Sequence, residues 1–71
     1  MNFREWEELL NILRKEEERC LLLRKTYDDN CLEATEQSMK DYYANGAAEF
    51  GIKVARLGYF IRKIEEMPVT P

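Results

Sequence analysis

The side chains best suited to chemistry are two cysteines, Cys20 and Cys31, and three consecutive carboxylates at residues 16–18. The chain contains no histidine, the side chain that most often serves as an acid or base near neutral pH. A cysteine nucleophile needs a neighbouring base, and the sequence supplies none. Consecutive carboxylates on a helix point about 100° apart, so they do not converge on one metal ion. We therefore predict that the protein is not an enzyme and has no catalytic residue, metal site, cofactor or small-molecule substrate.

The two cysteines are expected to be free thiols that pack as small hydrophobic residues. A small secreted domain usually has four or more cysteines, although a single disulfide between these two is an alternative. Zinc would need four ligands, which the chain does not offer. The acidic start of the chain has no apolar run, so no signal peptide is expected, and the longest apolar run, Cys20 to Leu23, is far shorter than a membrane span. These observations favour a cytoplasmic protein without membrane segments.

A basic cluster in the last third of the chain is the other candidate for chemistry. It consists of Lys53, Arg56 and Lys63 on one helix face, with Phe60 among them. Such a face can hold phosphates and stack a base, which makes RNA or DNA binding an alternative function. The net charge of −3, from 11 basic and 14 acidic residues, gives no general attraction to nucleic acid, and Glu49 lies in the same arc. The favoured interpretation is a solvated face on which Phe60 packs under a neighbouring chain.

The elements that position these side chains are predicted to be three antiparallel helices, at about 3–27, 31–44 and 47–67. Asn2 and Glu5 form a capping box before the first helix. Poor helix formers at residues 28–30 predict a break, and Asn45-Gly46 predicts a turn. Pro68 ends the last helix, which leaves 68–71 as a disordered tail. Because neither Gly nor Pro enforces the first break, the alternative is a long-helix hairpin that dimerises.

The last helix carries two parallel apolar stripes. The bulky stripe consists of Ala47, Phe50, Val54, Leu57, Ile61 and Ile64, and the small stripe of Ala48, Gly51, Ala55 and Gly58. Each glycine inside a helix costs roughly 0.5–1 kcal/mol relative to alanine, and close approach of another backbone compensates for that cost. The small stripe is therefore predicted to contact the first helix, a second copy of the chain or a foreign helix. We favour contact with another molecule.

The first helix adds a polar seam and an apolar patch. Glu17 and Arg24 fall on the midline of its apolar face, seven residues apart. They are either paired at the edge of the bundle or fix the register against a partner helix, as polar positions do in coiled coils. Ile12 and Leu23 lie off the main stripe, and we predict that they belong to a second interface.

Taken together, the sequence predicts a single all-α domain spanning residues 1–71. A core of this size rarely supplies more than about 3–5 kcal/mol, so a homodimer is expected. The predicted function is non-catalytic protein–protein interaction, as a small regulator, adaptor or inhibitor. The partner is not identified by the sequence. The size and acidity would suit a phage- or plasmid-encoded regulator of a host enzyme.

Overall fold

A computed structural model describes residues 1–69 and shows an all-α helical hairpin. Helix α1 spans Phe3–Glu33 and helix α2 spans Gln37–Glu66. The two helices lie antiparallel and contact each other along their length, and their Cα atoms span 56 × 14 × 11 Å. The all-α prediction is confirmed, and the architecture is the long-helix hairpin and not the three-helix bundle.

The break predicted at residues 28–30 is wrong, because α1 continues through this segment to Glu33. A continuous helix keeps Tyr27 and Cys31, four residues apart, half-buried on the face toward α2. The weak helix propensities of aspartate and asparagine cost only about 0.7 kcal/mol per residue or less, which packing of that face overrides. The start of α1 is as predicted, since the Glu5 backbone N–H donates to the Asn2 side-chain oxygen at 2.9 Å.

The turn predicted at Asn45-Gly46 is also wrong, because both residues lie inside α2. The chain reverses instead at residues 34–36, where Ala34 and Glu36 have extended backbones. Gly46 has no positive φ, so it does not serve to end a helix. A Cβ atom at Gly46 would lie 2.7 Å from two ring carbons of Tyr27. Glycine at this position therefore allows the Tyr27 ring to lie directly on the α2 backbone.

The end of α2 lies one residue before the predicted position. Met67 caps the helix, and its backbone N–H donates to the Ile64 carbonyl at 3.1 Å. Pro68 and Val69 follow outside the helix. The remainder of the predicted disordered tail, residues 70–71, lies outside the described residues.

The core is a thin seam between the two helices. Within residues 1–69 its buried apolar side chains are Leu10, Cys20, Ala47 and Ile61. At one end, the Trp6 indole N–H donates to the Ile64 carbonyl at 2.8 Å. This bond ties the start of α1 to the last turns of α2. The seam therefore extends over the whole hairpin, with few side chains fully enclosed at any level.

Replacing Gly46 by alanine is expected to lower the free energy of unfolding by up to about 2 kcal/mol. Alanine gains about 1 kcal/mol of helix propensity, but overpacking against Tyr27 costs about 1–3 kcal/mol. Urea denaturation followed by circular dichroism measures the difference. In a Tyr27→Ala background the obstructing ring is absent, so the same substitution should be stabilising. Destabilisation of equal size in both backgrounds would contradict the role assigned to Gly46.

Candidate interaction surface

One edge of the hairpin brings together the polar seam of α1 and the small stripe of α2. A Cβ atom at Gly51 would lie 3.6 Å from the Arg24 guanidinium, and one at Gly58 would lie 3.6 Å from a carboxylate oxygen of Glu17. The long polar side chains of α1 therefore extend over the two glycines of α2. We call this edge the glycine face; its residues are Glu17, Leu21 and Arg24 of α1 and Ala48, Gly51, Ile52, Ala55, Gly58 and Tyr59 of α2.

A shallow groove runs along the glycine face. Its lining joins Arg24 and Asp28 of α1 to the small side chains of α2, namely Ala47, Ala48, Gly51 and Ala55, and to Ile52. Large apolar side chains flank it: Leu21 is 46% exposed and Ile52 is 62% exposed. The sequence prediction named Ala48, Gly51, Ala55 and Gly58 as an interface. In the structure Ala48 and Ala55 are exposed, whereas Gly51 and Gly58 are half-buried under the side chains of Arg24 and Glu17.

The two charges of the polar seam have no partners within the hairpin. Neither Glu17 nor Arg24 forms a hydrogen bond or ion pair within residues 1–69, although Glu17 is half-buried. The expected pairing of these residues at the edge of the bundle is therefore not present in the single chain. On the same side, an exposed pair joins Arg14 to Glu65 of α2 at 3.7 Å. Exposed pairs of this kind contribute about 0–1 kcal/mol.

Ile12 and Leu23, which were predicted to belong to a second interface, differ in exposure, and their part in an interface stays a prediction. Ile12 is 64% exposed, whereas Leu23 is half-buried. The two residues are eleven positions apart, about 16 Å along α1, so they do not touch each other. Leu23 belongs instead to the margin of the seam between the helices.

The basic cluster runs along the exposed side of α2, from the groove beside Glu16 to Tyr59 of the glycine face. Lys53, Arg56 and Lys63 are exposed, and Phe60 is 52% exposed. Two of the ammonium groups lie over rings, each 5.5 Å from a ring centroid: Lys53 over Phe50 and Lys63 over Tyr59. The expectation that Phe60 packs under a neighbouring chain stays a prediction, because the structure contains a single chain. A second shallow groove next to Phe60 is lined by Glu16, Lys53, Arg56 and Leu57.

Glu16 places a negative charge beside this basic cluster. The Arg19 side chain donates to its carboxylate, with Nε at 3.0 Å, and this bond is the main cause of a pKa below the usual range. Attraction to Lys53 lowers the pKa of Glu16 further. The same pairing raises the pKa of Arg19. Glu16 stays ionised at neutral pH and offsets part of the positive charge that a phosphate would meet.

Neither thiol lines one of these two grooves. Cys20 is fully buried with its sulfur 3.7 Å from a Glu16 carboxylate oxygen, and Cys31 is half-buried with its sulfur 3.4 Å from the Lys40 carbonyl. Both are free thiols. The buried position of Cys20 is the one predicted. Within residues 1–69 no group of three or more histidine, cysteine, aspartate or glutamate side chains could hold a metal ion, and neither helix is long and apolar enough to cross a membrane.

An aromatic cluster near the turn was missed at the sequence level. The Tyr27 ring lies against Tyr42, Tyr43 and Phe50, with ring centroids 5.4–6.2 Å apart. A hydrogen bond to Tyr42 is the main cause of a raised pKa for Tyr27. The spacing of Tyr43 and Phe50, seven residues apart, was a signal for one continuous face across Asn45-Gly46. The cluster closes the turn end of the seam.

No protein-family model, curated protein or solved structure matches this chain. Its function has to be inferred from its own surfaces. Of these, the glycine face combines an apolar groove with unpaired charges, whereas the basic cluster combines exposed cations with a neighbouring carboxylate. The two faces therefore point to different kinds of partner.

Proposed function

We propose that the chain is a non-catalytic helical interaction module, a small cytoplasmic regulator, adaptor or inhibitor that acts by binding a protein partner. The observation that supports this proposal is the balance of buried and exposed apolar side chains. Within residues 1–69 four apolar side chains are buried, while twelve large ones are exposed. A hairpin that leaves twelve large apolar side chains 40% or more exposed gains free energy when another surface covers them.

The total surface supports the same conclusion. The accessible area is 5588 Å² for a mass of 8.5 kDa. A compact protein of this mass exposes about 4,700 Å². The excess of about 900 Å² is close to the area that each partner contributes to a standard protein–protein interface, about 800 Å². Binding one partner through an interface of ordinary size would reduce the accessible area of the hairpin to about that of a compact protein of the same mass.

Affinity capture from a native, nuclease-treated lysate tests the proposal. Wild-type protein is expected to retain one or more proteins that a Leu21→Lys/Ile52→Lys variant does not, because the charges would have to be desolvated in the interface. A Leu22→Lys/Leu32→Lys variant is the matched control: it adds the same charge at two residues that are 68% and 85% exposed. Mass spectrometry compares the three samples. Identical retention by the wild-type protein and both variants would contradict a binding role for the glycine face.

Nucleic-acid binding through the basic cluster is the second candidate. The exposure of Lys53, Arg56, Phe60 and Lys63 on one side of α2 favours it, and the nearby Glu16 opposes it. Omitting the nuclease from the capture experiment distinguishes the two. Retained nucleic acid that is released steeply as salt rises, and is lost in a Lys53→Glu/Arg56→Glu variant, would favour the second candidate. Weak retention that does not depend on salt would remove it.

A further inference from the structure

We propose that the glycine face binds a second copy of the chain in an antiparallel four-helix bundle, with a two-fold axis that crosses the hairpin between Glu17 and Arg24. This inference rests on the proposed interaction function and names one partner for it. In such a dimer α1 packs against α1 of the second copy, and α2 against α2. A two-fold interface is self-complementary: when residue i of one copy contacts residue j of the other, j also contacts i.

The charges along α1 fit this symmetry. Arg14, Glu17, Leu21, Arg24 and Asp28 are spaced three or four residues apart, so they form one stripe along the helix. When the stripe is read from residue 28 back to residue 14, each position that held a positive charge in the forward order holds a negative one, and each negative position holds a positive one. A two-fold axis near Leu21 therefore places Glu17 opposite Arg24 of the second copy, Arg14 opposite Asp28, and Leu21 opposite itself. Each charge then lies opposite a charge of opposite sign, and the two are level to within about 1.5 Å along the direction of the helices.

The small stripe of α2 fits the same axis. Arg24 lies beside Gly51 and Glu17 beside Gly58, so the midpoint of the two charges on α1 is level with the midpoint of the two glycines on α2. The axis therefore places Gly51 opposite Gly58 of the second copy. Ile52 comes level with Ala55 of the second copy to within about 3 Å, which sets a large side chain against a small one. The same two-fold axis thus fits the charged stripe of α1 and the small stripe of α2, although these two patterns are independent of each other in the sequence.

The unpaired charges decide the orientation of the second copy. A half-buried carboxylate without a partner is costly when it loses more water, and a charge of opposite sign offsets that cost. If the two-fold axis ran along the helices instead, Glu17 would come level with Glu17 of the second copy and Arg24 with Arg24. In that arrangement α1 would face α2 of the second copy and like charges of the two seams would lie level with each other, which disfavours it. The polar seam therefore selects the antiparallel pairing and its register.

The register is tested with two single charge reversals, Glu17→Arg and Arg24→Glu. Sedimentation velocity between about 1 μM and 1 mM covers the range in which weak dimers dissociate. Wild-type protein is expected to be dimeric, and each single variant to dimerise at least about tenfold more weakly, because two attractive contacts become repulsive. A 1:1 mixture of the two variants should recover the dimer, since one copy then supplies both positive charges and the other both negative ones. The double variant Glu17→Arg/Arg24→Glu should recover it as well.

Matched controls are Glu18→Arg and Lys25→Glu, which make the same kind of reversal at the same spacing, one position further along α1. Both residues are exposed and lie away from the glycine face, so dimerisation should be unchanged. Circular dichroism confirms that each variant folds. A folded wild-type monomer at every concentration, or a dimer that the mixture of variants does not restore, would overturn the proposal. The capture experiment tests the interaction function separately. A foreign partner can bind wild-type protein and fail to bind the Leu21→Lys/Ile52→Lys variant even if the chain is monomeric.

Discussion

Proline in place of Asn45 is expected to destabilise the hairpin strongly, lowering the free energy of unfolding by about 3 kcal/mol or more. Asn45 lies eight residues inside α2 and its side chain is exposed. The loss therefore comes from the backbone: proline removes a helical N–H donor, and its ring clashes with the carbonyl of the preceding turn. Because a small hairpin has only about 3–5 kcal/mol to lose, the variant should keep at most about 2 kcal/mol of stability.

The matched control is proline in place of Gln37, the first residue of α2. The preceding Glu36 has φ −90° and ψ 138°, the extended backbone that proline requires of the residue before it. The first helical position tolerates proline well, so stability should change by less than about 1 kcal/mol. Urea denaturation followed by circular dichroism measures both variants. Tolerance of Asn45→Pro together with unfolding by Gln37→Pro would show that the chain reverses at Asn45-Gly46 after all.

The helical content and the inward faces could be predicted from the sequence because they depend on local spacing. Phe3 as the first helical residue, the Asn2 cap and the apolar stripe of α2 all follow from neighbours within four residues. The position of the turn does not. The reversal at residues 34–36 contains neither glycine nor proline, whereas Gly46, a strong turn signal, is used for close packing against Tyr27. That use depends on a ring nineteen residues away along the chain, which no local pattern reports.

The candidate site could be predicted as two sets of residues but not as one surface. The small stripe and the polar seam were each recognised from spacing within a single helix. Which residues of α1 lie opposite Gly51 and Gly58 depends on the register of the hairpin, and the register depends on where the chain reverses. Only with the turn at residues 34–36 do Arg24 and Glu17 come to lie over the glycines.

Alanine in place of Ile61 is expected to lower the free energy of unfolding by about 2–5 kcal/mol, because the substitution leaves a cavity in the seam. Ile61 is 7% exposed and is one of the few enclosed side chains. Thermal and urea denaturation should show this loss at every protein concentration. A change below about 0.5 kcal/mol would mean that α1 and α2 do not pack as described.

The same substitution at Ile52 separates the core of the hairpin from its interface. Ile52 lies on the same helix but is 62% exposed, so in an isolated hairpin Ile52→Ala should be neutral or slightly stabilising through helix propensity. In the proposed dimer Ile52 is covered, and the substitution should reduce the rise of the melting temperature with protein concentration that a folded dimer shows. Ile61→Ala should shift the melting curves at all concentrations alike. If Ile52→Ala leaves the concentration dependence of wild-type protein intact, Ile52 does not lie in the dimer interface. If the wild-type protein and Ile52→Ala both melt independently of protein concentration, the hairpin is stable as a monomer. The apolar side chains of the glycine face would then bind a different protein.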